Sequence, residues 1–168
     1  IFQLYGVPQG KVSGGIIASV VPPVTAALAG AMERLIGRPP LVVGAGLRTG
    51  LNIRSDLHAQ LGADIVAYCV EAAAKYPSPV IVIDFGTAIT FSLLRENTYE
   101  GCVIAPGVRV ALEALSRQAA ELPRISLSGG PSSVLGRNTV DAMRSGVLYG
   151  NASLVEGMID RLEEATQK

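Results

Sequence analysis

The sequence predicts a mixed α/β fold, on three observations. Short runs of apolar β-formers, at 15–21, 41–43 and 80–83, alternate with stretches whose apolar residues recur at helical spacing. Three strand-like segments lie next to one another between Val80 and Ala105, the pattern of an antiparallel meander. Apolar residues make up 49% of the 168-residue chain against 17% charged, a balance that suits strands covered on both faces. The length allows one ordinary domain or two small ones. No apolar run is long enough to span a bilayer, and the apolar content argues against disorder.

Taken in order, Ile1–Tyr5 reads as a strand remnant followed by a glycine- and proline-rich turn. Gly10-Lys11 does not complete a phosphate loop, because Val12 stands where Ser or Thr is required and Gly6 is one place too close. Gly15–Val21 reads as a buried strand. Pro22-Pro23 ends it, and Pro23 opens a helix whose Val24, Leu28, Ala31 and Leu35 share one face, closed by Gly37 and Pro39-Pro40. Leu41–Val43 is the next strand and runs into Gly44-Ala-Gly46-Leu-Arg-Thr-Gly50. That loop is superficially a dinucleotide fingerprint, with Asp64 about twenty residues on. The glycine spacing is wrong, however, and Leu51–Asp56 alternates like extended chain instead of opening a helix.

A helix is expected from Gly62-Ala63-Asp64 through Lys75, with Val66, Cys69, Val70 and Ala73 inward. Tyr76–Pro79 breaks the chain. The strand 80–86 is expected to be central and buried, with a hairpin partner at 88–94, a turn at 95–98 and a third strand at 99–105. Pro106-Gly107 ends the meander and a helix follows at 108–120. Residues 123–137 form a Pro/Ser/Gly-rich loop. Asn138-Thr139 opens a long helix to about Thr166, in which Gly146 and Gly150 allow another backbone to come close.

The chain carries 14 basic and 14 acidic residues, with no block of either sign. That excludes the clustered Lys/Arg of a direct nucleic-acid binder and the basic face of a membrane-surface helix. Cys69 and Cys102 lack metal-ligand spacing and read as buried thiols of a cytoplasmic protein. The chain begins at Ile1 inside structured sequence, and a missing beginning is expected.

Two stretches can carry chemistry. In Asp84-Phe-Gly86-Thr87-Ala-Ile-Thr90 a strand delivers a carboxylate, then a glycine, then hydroxyls. Amides and hydroxyls of such a turn hold phosphate oxygens, and the carboxylate holds a cation that neutralises them. The same residues also suit an ordinary hairpin with a capping Asp. Asp64 at a helix start is equally readable as an N-cap or as an acid favoured by the helix dipole.

The order of several motifs resolves these alternatives. Ala18-Ser-Val-Val-Pro-Pro-Val24, Thr49-Gly-Leu-Asn-Ile-Arg54, Gly62-Ala63-Asp64, Val82-Ile-Asp84-Phe-Gly86-Thr87-Ala88, Gly101-Cys-Val-Ile-Ala-Pro106-Gly107 and Gly136-Arg-Asn138-Thr139, continued by Gly146–Gly150, together resemble the type III pantothenate kinases over nearly the whole chain. The resemblance implies two ribonuclease-H-like domains of the acetate-and-sugar-kinase/actin superfamily, here residues 1–78 and 79–168, each incomplete. It implies ATP-dependent phosphorylation of pantothenate to 4'-phosphopantothenate, the first step of coenzyme A synthesis, in a cytoplasmic homodimer. Mg2+ and a monovalent cation, K+ or NH4+, are the implied cofactors. By motif, Asp64 is the general base, Gly62, Ala63 and Thr139 contact pantothenate, Asp84 holds the monovalent cation, and Gly86 and Thr87 meet the ATP phosphates.

The chain departs from that family at identifiable points. The opening strand with Asp-x-Gly-Asn-Thr and the C-terminal strands are absent. Ile65 stands where the family has a substrate-binding Arg, and Ser55 where it has a pocket Tyr. A non-catalytic or regulatory relative on the same scaffold is therefore the alternative expectation.

Overall fold

The computed structural model describes residues 4–6, 8–44, 47–53 and 61–167. Its elements are β1 (Ile16–Ile17), α1 (Pro22–Ile36), β2 (Leu41–Val42), β3 (Asn52–Ile53), α2 (Ala63–Lys75), β4 (Val80–Phe85), β5 (Ala88–Arg95), β6 (Thr98–Pro106), α3 (Val108–Gln118) and α4 (Thr139–Thr166), after a short 3-10 turn at Gln9–Lys11. This is the mixed α/β composition that the sequence predicts. The chain divides into two compact units, Ile1–Val80 with Leu94–Glu100, and Ile81–Leu93 with Gly101–Lys168.

In the first unit β1 and β2 pair in parallel, Ile16 opposite Leu41 and Ile17 opposite Val42. A parallel pair needs a crossover, and α1 supplies it. Pro22 starts α1 at a position where an amide would lack a partner anyway. Gly37, at φ 74°, ends the helix and donates its N–H to the Glu33 carbonyl. The expected strand at 15–21 is only two residues long, because its partner β2 stops at Val42. Leu4 and Tyr5, expected to end a strand, lie with Gly6 in a turn.

The apolar face expected to be buried on α1 is not covered. Val24, Leu28 and Leu35 are 48%, 46% and 36% exposed, and the helix buries no residue. Periodicity identifies the apolar face of a helix but not what packs on it; α1 meets β1 and the 3-10 turn. The buried apolar residues of this unit include Ile17, Val43, Ala63, Cys69, Ala72, Leu94 and Tyr99. The start of β6 also pairs in parallel with β3, Asn52 opposite Thr98.

Two-residue turns join β4 to β5 and β5 to β6, which only antiparallel neighbours allow. The hydrogen-bonded order is β3-β6-β5-β4. The expectation of a central, buried strand at 80–86 is thereby corrected: β4 lies at the edge of this sheet, and Asp84 and Phe85 are exposed. The central, buried strand is β5, where Ile89, Phe91 and Ser92 have no exposed surface. A run of β-formers specifies a strand with two apolar sides; the two hairpin turns decide which strand lies in the middle.

The first turn of α4 is closed by a reciprocal cap. The Asn138 side-chain oxygen accepts the Asp141 N–H at 2.9 Å, and its amide donates to the Asp141 carboxylate at 2.9 Å. Asn138→Ala is expected to lower unfolding stability by about 1 kcal/mol, measured by urea denaturation. The loop before α4 is tied back onto helices. Arg144 Nε donates to the Ser126 carbonyl at 3.0 Å, Ser145 Oγ donates to the Val134 carbonyl, and Ser116 Oγ donates to the Pro123 carbonyl at 3.1 Å. Gly146 and Gly150, expected to meet another backbone, face open space. Cys69 is buried as expected, whereas Cys102 is half-buried; neither forms a disulfide. Among the described residues no helix is long and apolar enough to cross a membrane.

Candidate functional site

The first constellation lies in the second unit, where β4 delivers Asp84 and the chain reverses through Gly86 and Thr87 into β5. The Gly86 N–H donates to the Ala88 carbonyl at 3.0 Å. The Gly107 N–H, at the start of α3, donates to the Thr87 carbonyl at 3.0 Å. Gly107 is buried, and a Cβ there would strike the carbonyl oxygens of Gly86 and Thr87. A Cβ on Gly86 would come within 3.3 Å of the Asp84 carboxylate. Two glycines thus let three backbone segments crowd around one turn, which leaves Asp84, Gly86 and Thr87 exposed on a rigid support. The Asp84 carboxylate makes no hydrogen bond or ion pair among the described residues, so all its lone pairs are open to a ligand.

Sequence reasoning missed Gly107 as part of this turn, taking Pro106-Gly107 only as the end of a strand. A glycine between a strand and a helix is the available signal for close backbone approach, but its partner is twenty residues away and comes into view only with the fold.

The second constellation lies in the first unit, at the start of α2. Gly62 is the N-cap residue, with extended backbone, and Ala63 is buried behind it. Asp64 is therefore not the N-cap itself. It stands in the first turn, exposed, and its carboxylate accepts the Ile65 N–H at 2.9 Å. That bond occupies one of the amides left unpaired at a helix start. A Cβ on Gly62 would meet the Asp64 carboxylate and lie 3.1 Å from Val20 Cγ1, so the glycine makes room for that carboxylate. Ile65 is half-buried beside it.

Of the other candidates, Thr139 is the exposed first residue of α4, in the same unit as the Asp84 turn. Ser55 lies outside the described residues. Gly62, Ala63, Asp64 and Ile65 are brought together by one helix start, and Asp84, Gly86 and Thr87 by one hairpin turn. The loop after β2 leads into strand β3 and not into a helix, against a dinucleotide site. No group of three or more His, Cys, Asp or Glu able to hold a metal occurs among the described residues.

The sequence profile of the type III pantothenate kinase family matches residues 2–161. A type III pantothenate kinase of Bacillus cytotoxicus is 43% identical over 164 residues, which cover 97% of this chain and 62% of that relative. The chain thus spans less than two thirds of the length of the relative it matches. Among solved structures, a conserved protein of Campylobacter jejuni, named as a Baf family transcriptional activator, is similar with a TM-score of 0.56 at 19% identity, covering 88% of this chain and 64% of that one. At that identity the likeness concerns the fold alone. A profile that runs through both constellations, together with a relative this similar along almost the entire chain, places the protein: it belongs to the type III pantothenate kinase family.

Proposed function

We propose that the protein transfers the γ-phosphoryl group of ATP to the primary hydroxyl of pantothenate, giving 4'-phosphopantothenate and so opening coenzyme A synthesis. The observation that carries this reading is the turn Asp84–Thr87, an exposed carboxylate and hydroxyl locked in place by Gly107, in a chain of this family. Phosphoryl transfer depends mostly on positioning and charge neutralisation, and a rigid polar turn supplies both.

In this reading Gly86 and Thr87 meet the ATP phosphates and Asp84 holds a monovalent cation, K+ or NH4+. One open carboxylate beside backbone carbonyls fits such an ion. Mg2+ fits as an ion carried on the ATP phosphates, with few ligands from the protein. Asp64 accepts the proton of the pantothenate hydroxyl as general base. Gly62, Ala63 and Thr139 contact pantothenate, with Ile65 and Ser55 at the remaining pocket positions. Ile65 cannot pair with a carboxylate, so pantothenate is held without an arginine fork at that position. The two-domain ribonuclease-H-like architecture, with residues 1–78 and 79–168 as the parts of its halves, a homodimeric state and a cytoplasmic location belong to the same proposal.

The test is ADP release by the intact protein with ATP, Mg2+ and K+, with and without pantothenate. Pantothenate-dependent release, with 4'-phosphopantothenate identified by mass spectrometry, is the expected result. Its absence would favour a regulatory relative, the reading that the loss of arginine at Ile65 invites. A finer prediction concerns Gly62. Gly62→Ala is expected to lower the melting temperature only slightly, because the closest atom is the end of the exposed Asp64 side chain and Val20 Cγ1, at 3.1 Å, has to give by only a few tenths of an ångström. It displaces the Asp64 carboxylate, and kcat is expected to fall roughly ten- to hundredfold. A parental kcat in that variant would show that the carboxylate position is immaterial.

A further inference from the structure

A cavity of about 610 Å³ lies along α3 and the chain that follows it, in the second unit. None of its lining residues belongs to the Asp84–Thr87 turn. Arg109, Glu113 and Arg117 stand on one face of α3 at successive helical turns, and Arg124 comes from the returning chain. Glu113 accepts a hydrogen bond from Arg117 at 2.7 Å, so that pair is neutral. Arg109 and Arg124 have no ion-pair partner among the described residues, which leaves two uncompensated guanidinium groups on one cavity. Arg109 also lies in the first turn of α3, where no acid is present. A cation at the positive end of a helix is disfavoured, so stability alone gives no reason for it there.

The cavity has a built frame and an apolar wall. Ser116 Oγ fixes the chain at the Pro123 carbonyl, and Arg144 fixes it again at the Ser126 carbonyl. Arg124 sits between those two anchors, so its backbone is positioned before any ligand arrives. Leu112 and Ile125 line the same space. The volume suits a small molecule.

We propose that this cavity binds a small organic dianion of the phosphate-monoester class, its charged head forked by Arg109 and Arg124 and its apolar body against Leu112 and Ile125. Guanidinium groups match phosphate oxygens two by two. The proposal is independent of the kinase reading, since it uses neither nucleotide nor pantothenate.

The test is calorimetric titration of the nucleotide-free protein with phenyl phosphate and, separately, with inorganic phosphate. Phenyl phosphate is expected to bind roughly fivefold or more tightly than inorganic phosphate, because of the apolar wall. The double variant Arg109→Gln/Arg124→Gln is expected to weaken phenyl phosphate binding roughly tenfold or more, with an unchanged circular dichroism spectrum. Glu113→Gln/Arg117→Gln, which removes both members of the neutral pair, is expected to change affinity by less than roughly threefold. Undiminished binding in the double variant would overturn the site, as would no saturable binding to the parent. Equal affinity for the two probes would overturn the apolar wall and with it the proposed ligand class. Should the double variant fold poorly, Arg124→Lys decides the matter: it keeps the charge, loses the fork and is expected to weaken binding measurably.

Discussion

Asp64→Asn is expected to lower pantothenate-dependent turnover roughly a hundred- to ten-thousandfold. The amide is nearly isosteric, and its oxygen can still accept the Ile65 N–H that the carboxylate now accepts at 2.9 Å. It cannot take up the hydroxyl proton. The change therefore separates a structural role from a chemical one. As an exposed first-turn acid, Asp64 contributes only a few tenths of a kcal/mol to about 1 kcal/mol to the helix, so the melting temperature should barely move. A general base predicts a large loss in kcat with stability intact. Turnover within about threefold of the parent would leave Asp64 as a helix-start acid and nothing more. Measuring kcat, the KM for pantothenate and thermal unfolding on the same preparations distinguishes the two.

The second large effect is expected at Gly107, which carries no functional group. A methyl group there runs into the carbonyl oxygens of Gly86 and Thr87. These are backbone atoms in a hairpin turn, so no side-chain rotation relieves the clash. Gly107→Ala is expected to cost about 1–3 kcal/mol of unfolding free energy, the usual range for overpacking a filled site. It should also shift the turn that presents Asp84 and Thr87, raising the KM for ATP well above any change in the KM for pantothenate. Asp84→Asn is the contrasting change. It leaves the turn in place and weakens the cation site, so its defect should appear as a higher K+ requirement at unaltered stability. A Gly107→Ala protein with parental stability and parental KM for ATP would show that the close packing around the turn is not needed.

Much of both sites is legible in the residues. Asp84-Phe-Gly86-Thr87 after a β-forming run announces a carboxylate at the end of a strand and a tight turn, and the turn is there. Gly62-Ala63-Asp64 announces a helix start, and α2 begins at Ala63. Asn138 announces the cap of the last long helix, and its side chain makes that bond. These features depend on a few consecutive residues, whose backbone preferences and hydrogen-bonding groups act locally.

Other readings failed where the deciding contact is distant. Val80–Phe85 reads as the central strand because its residues are apolar, yet β5 has both neighbours and β4 lies at the edge. Val24, Leu28 and Leu35 make an apolar stripe, but the structure leaves it exposed. Gly146 and Gly150 suggest close helix contact and face open space. Composition reports what a surface would prefer to touch; the contact itself requires a second surface, and local sequence carries no record of it.

By itself, then, the sequence determined the element types, the capped start of the last helix, the carboxylate-bearing turn and the likeness that led to the family. Only the tertiary structure decided that Gly107 props that turn, that Gly62 makes room for the Asp64 carboxylate, and that Arg109 and Arg124 share a cavity. The reason is physical. Propensity, capping and turn formation are interactions between near neighbours in the chain, whereas an excluded Cβ or two uncompensated cations on one cavity arise from residues far apart in sequence that meet only when the chain folds.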